Sequence, residues 1–468
     1  MADRQEPATR ERIMKLIEVE KIRFINLEFT DVVGMAKSVT IPVDQFPACL
    51  ESGRWFDGSA IESFARVAES DMYLFPDLST FSFLPVRGHL PVTIARPSSL
   101  DSADDEDVGA RVICNVLTPA GERFDGDPRA TLLRALDIAH EMGYGFLVAP
   151  ELEFFLLHLE GKTPMPLPFD RGSYFDLSID LAASVRRQMV QALLKMGVKI
   201  ESSHHEIAAG QHEIDFETAN ALSVADGVMT AKYVLKSVAA RHNLYATFMP
   251  KPFFGLNGSG MHTHQQLINL ATGRNAFVDE SGDGEYGLSA VGRYFIAGQL
   301  AHARAMCAVL APLVNSYKRL VRGYEAPVYI NWGRVNREAL IRVPRPDTNR
   351  QASARIELRC CDPSCNPYLA FAVMLRAGLD GIQRKLPLPP AMDESLFLRE
   401  EGERQRQLSA LLPATLGEAL TDLREDQLIR ETLGDSIYEG FLEAKSIEWA
   451  EYRKQVHSWE LDRYLPLF

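Results

Sequence analysis

Between His204 and Asp215 the chain reads His-His-Glu-Ile-Ala-Ala-Gly-Gln-His-Glu-Ile-Asp, crowding ionisable side chains around a Gly-Gln turn. The segment lacks the apolar repeat that would lay those charges along a solvated helix face. Gly210 can take positive φ and turn the backbone, so two short extended pieces can aim Glu206 and Glu213 at one point. Three further segments carry polar residues two apart inside apolar, strand-like runs. Glu151 and Glu153 share one face of a strand whose other face holds Leu152 and Phe154. Asn257-Gly258-Ser259-Gly260 leads into His262 and His264, while Arg355, Glu357 and Arg359 alternate with Ile356 and Leu358. Like charges two apart on one strand, as at Glu151 and Glu153, call for a counterion.

Brought together, these faces line a polar funnel holding Glu151, Glu153, Glu206, Glu213 and Glu357, at least one imidazole and several guanidiniums. Carboxylate-rich sets with one His suit Mg²⁺ or Mn²⁺ better than zinc. Two ions fit better than one, because so many glutamates around a single ion leave negative charge uncompensated. A pair of ions can also clamp a transferring phosphoryl group. The arginine forks match phosphate or carboxylate oxygens two at a time. From carboxylate pairing alone a two-metal phosphatase stays open, and a lone segment of this kind also reads as an exposed acidic turn.

The elements that must position these residues follow from periodicity and turn signals. Helices are expected over Arg10–Lys21, Pro128–Glu141, Ser184–Lys195 and Ser223–Arg241, with one long buried helix over Gly287–Ala311 and a helical tail over Glu425–Phe468. Strands at Phe24–Phe29, onward through Val39, at Ser82–Val86 and at Pro91–Ile94 predict a small, mostly β unit, with Trp55–Glu62 as an ordered loop between them. The acidic stretch Ser98–Gly109 marks a boundary, dividing residues 1–105 from residues 106–468, and strand Arg111–Leu117 opens the second unit. Strand and helix alternate irregularly, which predicts α+β with an antiparallel sheet rather than a doubly wound parallel one. Asn315–Pro327 reads as a polar loop able to act as a lid, with Glu325 on it. Arg334, Arg337, Arg342, Arg345, Arg350, Arg355 and Arg359 follow closely, an arrangement for binding anions.

With 468 residues, 46% hydrophobic and 9% aromatic, the chain can bury a large core. A formal charge of −13 argues against nucleic acid or an anionic membrane as the main partner. The 6 cysteines show no disulfide framework, and Cys360, Cys361 and Cys365 lack the second pair a zinc finger needs, so they are expected to be buried thiols. The longest apolar run, Ala305–Val314, is too short to span a bilayer, and Met1–Arg12 is too charged for a secretory signal. A cytoplasmic protein is expected. Trp449, Tyr452, Trp459 and Tyr464 along the tail predict docking on a neighbour.

In their order along the chain, Asp57-Gly58-Ser59, Glu151–Phe155, His204–Glu213, Asn257–His262, Asn315–Pro327 and Arg355–Arg359 with Asn366-Pro367-Tyr368 resemble the class I bacterial glutamine synthetases over essentially the whole chain. The resemblance implies a β-grasp-like N-terminal domain and a catalytic domain whose antiparallel sheet forms an active-site funnel. It also implies a dodecamer of two stacked hexamers with active sites shared between subunits. The implied activity is ATP-dependent ligation of ammonia to L-glutamate through γ-glutamyl phosphate. By the same resemblance, Glu153, Glu206 and Glu213 hold one Mg²⁺ or Mn²⁺ and Glu151, His262 and Glu357 another. Arg319, Arg359, Asn257 and Gly258 take glutamate, and Glu201, His264, Arg342 and Arg355 take ATP. Arg337 meets the transferring phosphate. Asp57 of an adjacent subunit deprotonates ammonium near Tyr174 and Glu325, and Arg66 couples to glutamine feedback. Ala60, Gln266, Arg322 and Glu338 depart from the usual family residues. Ala60, standing where a second Ser is usual beside the ammonium site, motivates the alternative of a γ-glutamyl ligase that uses an organic amine or polyamine. Gln383–Pro390 lacks the Tyr that some relatives adenylylate.

Overall fold

A computed structural model describes residues 7–60, 71–84, 109–161, 163–167, 170, 173–176, 179–281, 285–345, 353–393 and 411–468. In Phe24–Thr30 the apolar residues Ile25, Leu27 and Phe29 are buried. Asp31–Gly34 turns the chain back, with Gly34 at φ 86° and Asp31 Oδ1 accepting from Met35 N at 2.8 Å, so that Ala36–Pro42 pairs antiparallel. The first sheet runs Ala36–Pro42, Phe24–Thr30, Gly109–Leu117, Asp71–Pro76, Arg54–Asp57, with Ser82–Phe83 also on Gly109–Leu117. The strand taken to open the second unit lies in the middle of this first sheet, where Phe24–Thr30, parallel to it, and Asp71–Pro76, antiparallel, supply backbone partners on its two edges. Trp55–Asp57 is strand rather than loop: Arg54–Asp57 pairs with Asp71–Leu74, and the Trp55 indole donates to Asp71 at 2.9 Å. Pro91–Ile94 and the acidic stretch up to residue 108 lie outside the described residues.

The second sheet has 10 strands, ordered along its main path Tyr329–Gly333, Ala339–Arg342, Ile356–Leu358, Met261–Asn269, Tyr144–Glu160, Gln211–Phe216, Ile200–His205. It is antiparallel except where Tyr329–Gly333 runs parallel to Ala339–Arg342. The four segments picked out by their alternation therefore stand on adjoining strands. Their registers bring the polar residues side by side: Glu213 opposite Glu153, His262 opposite Glu151, His264 and Arg342 opposite Glu357. Leu152 and Phe154 point away and are fully buried.

Of the long helices Pro128–Glu141, Ala221–Arg241 and Pro367–Arg384, the last two are buried over most of their circumference; the first and last start at Pro behind an Asp127 or Asn366 cap. The expected single helix over Gly287–Ala311 is two, Ala290–Ala301 and Ala303–Leu310. At the break His302 is held by Asp426 at 2.6 Å and Asp380 at 3.2 Å, partners from far along the chain that no local pattern reveals. Arg129 ties the end of strand Asp71–Pro76 to the helix Ala221–Arg241, bonding Asp77 at 2.7 Å and Asp226 at 3.0 Å. Asn366 Nδ2 reaches the Asp31 carbonyl at 3.1 Å. Cys360, Cys361 and Cys365 are free and buried. In the tail, Trp459, Leu465, Leu467 and Phe468 are exposed. Among the described residues no helix is long and apolar enough to cross a membrane.

Candidate active site

A cavity of about 320 Å³ opens where the strand faces meet, and the six expected metal ligands Glu151, Glu153, Glu206, Glu213, His262 and Glu357 all line it. Arg319, Arg359, Asn257, Gly258, Tyr174, Glu325, Arg337 and Arg342 join them. Donor atoms of Glu151, His262 and Glu357 lie within 4.8 Å of one another, as do those of His204, Glu206 and Glu213. Glu153 stands between the two sets, 3.8 Å from His262 Nδ1, and accepts from Gln211 Nε2 at 2.7 Å.

The charges are balanced unevenly. Burial opposes ionisation of Glu151, but hydrogen bonds from His262 at 3.2 Å and His264 at 2.8 Å hold its carboxyl well below the usual range. Glu357 is likewise held low against burial by Arg359, with Arg342 Nη1 at 2.8 Å from its second oxygen. By contrast, burial and then the Glu206 carboxylate push Glu153 up to about 8. Burial, then Glu151 and Glu153, push Glu213 well up. Carboxylates driven toward neutrality by one another are relieved by a cation, and oxygen-rich sets with an imidazole suit Mg²⁺ or Mn²⁺. The residues present fit such ions.

The glycines before His262 are explained by packing. A Cβ on Gly260 would meet Arg319 Nη2 at 2.4 Å and His262 Nε2 at 2.9 Å, and one on Gly258 would meet the Pro250 carbonyl at 2.2 Å. Their absence lets Arg319 lie buried, donating to the carbonyls of Arg359, Cys360 and Cys361 at 3.1 to 3.2 Å while facing His262 at 3.2 Å. Glu325, on the loop expected to act as a lid, adopts φ 55°, a strained value for a side chain with Cβ, and is held there by Tyr174 Oη at 3.1 Å. Lys251 Nζ lies 3.5 Å from the Tyr324 ring centroid beside it.

A neighbouring cavity of about 240 Å³ gathers Glu201, His264 and Arg355 with Glu151, so the residues expected to meet the nucleotide share one hollow, and Arg342 faces the main one. Asp57 is not brought to either cavity: it is exposed at the end of Arg54–Asp57, its Oδ1 accepting from Ser59 N at 2.9 Å. Arg66 and Arg350 lie outside the described residues. Sequence reasoning assigned no role to His204, Gln211 and Tyr324, which line the main cavity. His204 sits 2.8 Å from Glu206; its place beside that ligand in the motif was the available signal.

Fold and site together define an α+β enzyme built around a carboxylate funnel. Residues 21–119 match the glutamine synthetase β-grasp domain and residues 125–464 the glutamine synthetase catalytic domain. The chain belongs to the glutamine synthetase family. It is 48% identical to the glutamine synthetase of Thermus thermophilus, with 98% of this chain and 99% of that one covered. It is 45% identical to that of Methanosarcina mazei, covering 100% of both. Among solved structures it is similar to "GmaS/ADP complex-Conformation 1", at TM-score 0.83 and 30% identity, over 97% of this chain and 99% of that one.

Proposed function

We propose that this chain ligates ammonia to L-glutamate with ATP: glutamate's γ-carboxylate attacks the γ-phosphorus, ADP leaves, and ammonia displaces phosphate from the acyl phosphate to give glutamine. The carrying observation is the convergence of Glu151, Glu153, Glu206, Glu213, His262 and Glu357 with Arg319, Arg337 and Arg359 on one cavity. In this reading Glu153, Glu206 and Glu213 hold one divalent ion and Glu151, His262 and Glu357 a second, Mg²⁺ or Mn²⁺. Such ions supply charge neutralisation at a transferring phosphate. Arg319 and Arg359 grip glutamate's carboxylates, and the Asn257-Gly258 loop takes its amino group. Glu201, His264, Arg342 and Arg355 orient ATP, and Arg337 meets the phosphate, so that catalysis is positioning and electrostatics. The Glu325 lid keeps water from the acyl phosphate.

Asp57, exposed and outside the lining of its own chain's cavity, is suited to serve a neighbour's, where it would take the proton of ammonium near Tyr174 and Glu325. The exposed apolar tail supports assembly in a dodecamer of stacked hexamers. A cytoplasmic setting and feedback through Arg66 belong to the same reading. Phosphate release with glutamate and ATP tests it, comparing ammonium with methylamine, ethanolamine and polyamines. Saturation by ammonium at modest concentration is expected; turnover only with an organic amine would transfer the chain to the γ-glutamyl amide alternative motivated by Ala60.

A further inference from the structure

Beneath the turn that joins Ile200–His205 to Gln211–Phe216 lies a polar cluster that takes no part in the reaction described above. Asp170 is 1% exposed, and among the described residues each of its carboxylate oxygens has one partner: Oδ1 bonds His205 Nε2 at 3.1 Å and Oδ2 accepts from Gly210 N at 3.0 Å. The His205 ring, equally buried, turns its other nitrogen to the Glu206 carbonyl. One carboxylate thus grips the turn at both ends, reaching Glu206 through His205 and Gly210 directly. Gly210 is also tied by its carbonyl to Leu156 N at 2.8 Å, where φ 74° and a neighbouring carbonyl at 3.0 Å leave no room for a side chain.

Asp170, His205 and His212 have donor atoms within 4.8 Å of one another, the spacing of a metal trio. The hydrogen bonds argue against that reading. Arg186 donates to His212 Nδ1 at 2.9 Å, so the other nitrogen of a neutral His212 carries the hydrogen, and both nitrogens of His205 face acceptors. His205 can donate to both only as the imidazolium, so neither ring has a free lone pair to offer.

We propose that Asp170 is a positioning residue: through His205 and Gly210 it fixes the turn that presents Glu206 and Glu213, and so sets the affinity of their side of the funnel for a divalent ion. This rests on the two-ion reading above. The clamp is needed because the carboxylates of Glu153, Glu206 and Glu213 stand buried together on one cavity, and an untethered turn would let them part. Groups that orient ligands from behind typically change metal affinity about 10- to 100-fold when removed.

The test is Mn²⁺ titration of the stripped, full-length protein by electron paramagnetic resonance and calorimetry, with Asp170→Asn and the milder His205→Gln beside the unmodified chain. The expected result is two ions in the unmodified chain, with one weakened about 10- to 100-fold in both variants and the other, at Glu151, His262 and Glu357, within about twofold. Faster exchange of the Gly210 amide is expected alongside. Equal weakening of both ions, or none in either variant, overturns the clamp while leaving the two-ion reading intact. A third tight ion lost in Asp170→Asn would make the trio a metal site and overturn it as well. An unmodified chain that takes up no Mn²⁺ sinks the two-ion reading, and the clamp with it.

Discussion

The two sides of the funnel use the same residue types on adjoining strands, yet they handle charge in opposite ways. On the Glu357 side, each carboxylate oxygen meets an arginine, and Glu151 is met by His262 and His264. On the Glu213 side, Glu153, Glu206 and Glu213 crowd one another; His204 stands 2.8 Å from Glu206 and 3.6 Å from Glu213. The first is a standing ion-pair framework, complete before any ion arrives. The second is strained by its own charge and gains most from a cation, which is why a clamp beneath its turn matters there.

The largest test of this contrast removes one carboxylate from each side in chelator. Glu357→Ala leaves Arg359 buried without its partner and is expected to cost about 3–5 kcal/mol of stability. Glu213→Ala removes a buried carboxyl whose ionisation burial and its neighbours oppose, and is expected to leave stability unchanged or slightly raised. Equal losses in guanidinium unfolding midpoints would erase the distinction. Next, Gly260→Ala drives a Cβ into Arg319 and His262, where the two sides meet. A displacement of that size is expected to lower kcat/KM for glutamate about 100-fold, read by steady-state kinetics.

The contrast also predicts where protons go. With Glu153 pushed up to about 8 by burial and Glu206, and Glu213 pushed up beside it, the two are expected to share about one proton at pH 7 in the metal-free chain, which a bound ion must displace. Mn²⁺ uptake at pH 7 is expected to release about one proton per chain, fewer as pH rises through that value. Calorimetry in buffers of differing ionisation enthalpy measures this, and Glu213→Gln should shrink the release more than Glu357→Gln does. The smallest expected effect is at the lid. Tyr174→Phe removes one hydrogen bond to Glu325, about 1 kcal/mol, and should raise phosphate release unaccompanied by glutamine about fivefold.

Much of the site was legible because strands alternate with period two: Glu151 with Glu153 and Arg355 with Glu357 and Arg359 could share faces only as extended chain. The order of strands across the sheet was not legible, yet it is what sets Glu213 beside Glu153 and Glu357 beside His264. Gly109–Leu117 was assigned to the wrong sheet because an apolar run shows that it is buried but not between which neighbours. The break at His302 depends on Asp380 and Asp426, and the clamp on Asp170 stands well before the turn it grips; such partners leave no local signature. Asp57 carried a motif, but that it does not line its own chain's cavity appears only in three dimensions.

Anomalous diffraction from crystals soaked in Mn²⁺ tests the central claim most directly. Two peaks in the cavity are expected, one among Glu151, His262 and Glu357 and the other among Glu153, Glu206 and Glu213. A single peak, or none, would contradict a funnel built to hold two ions.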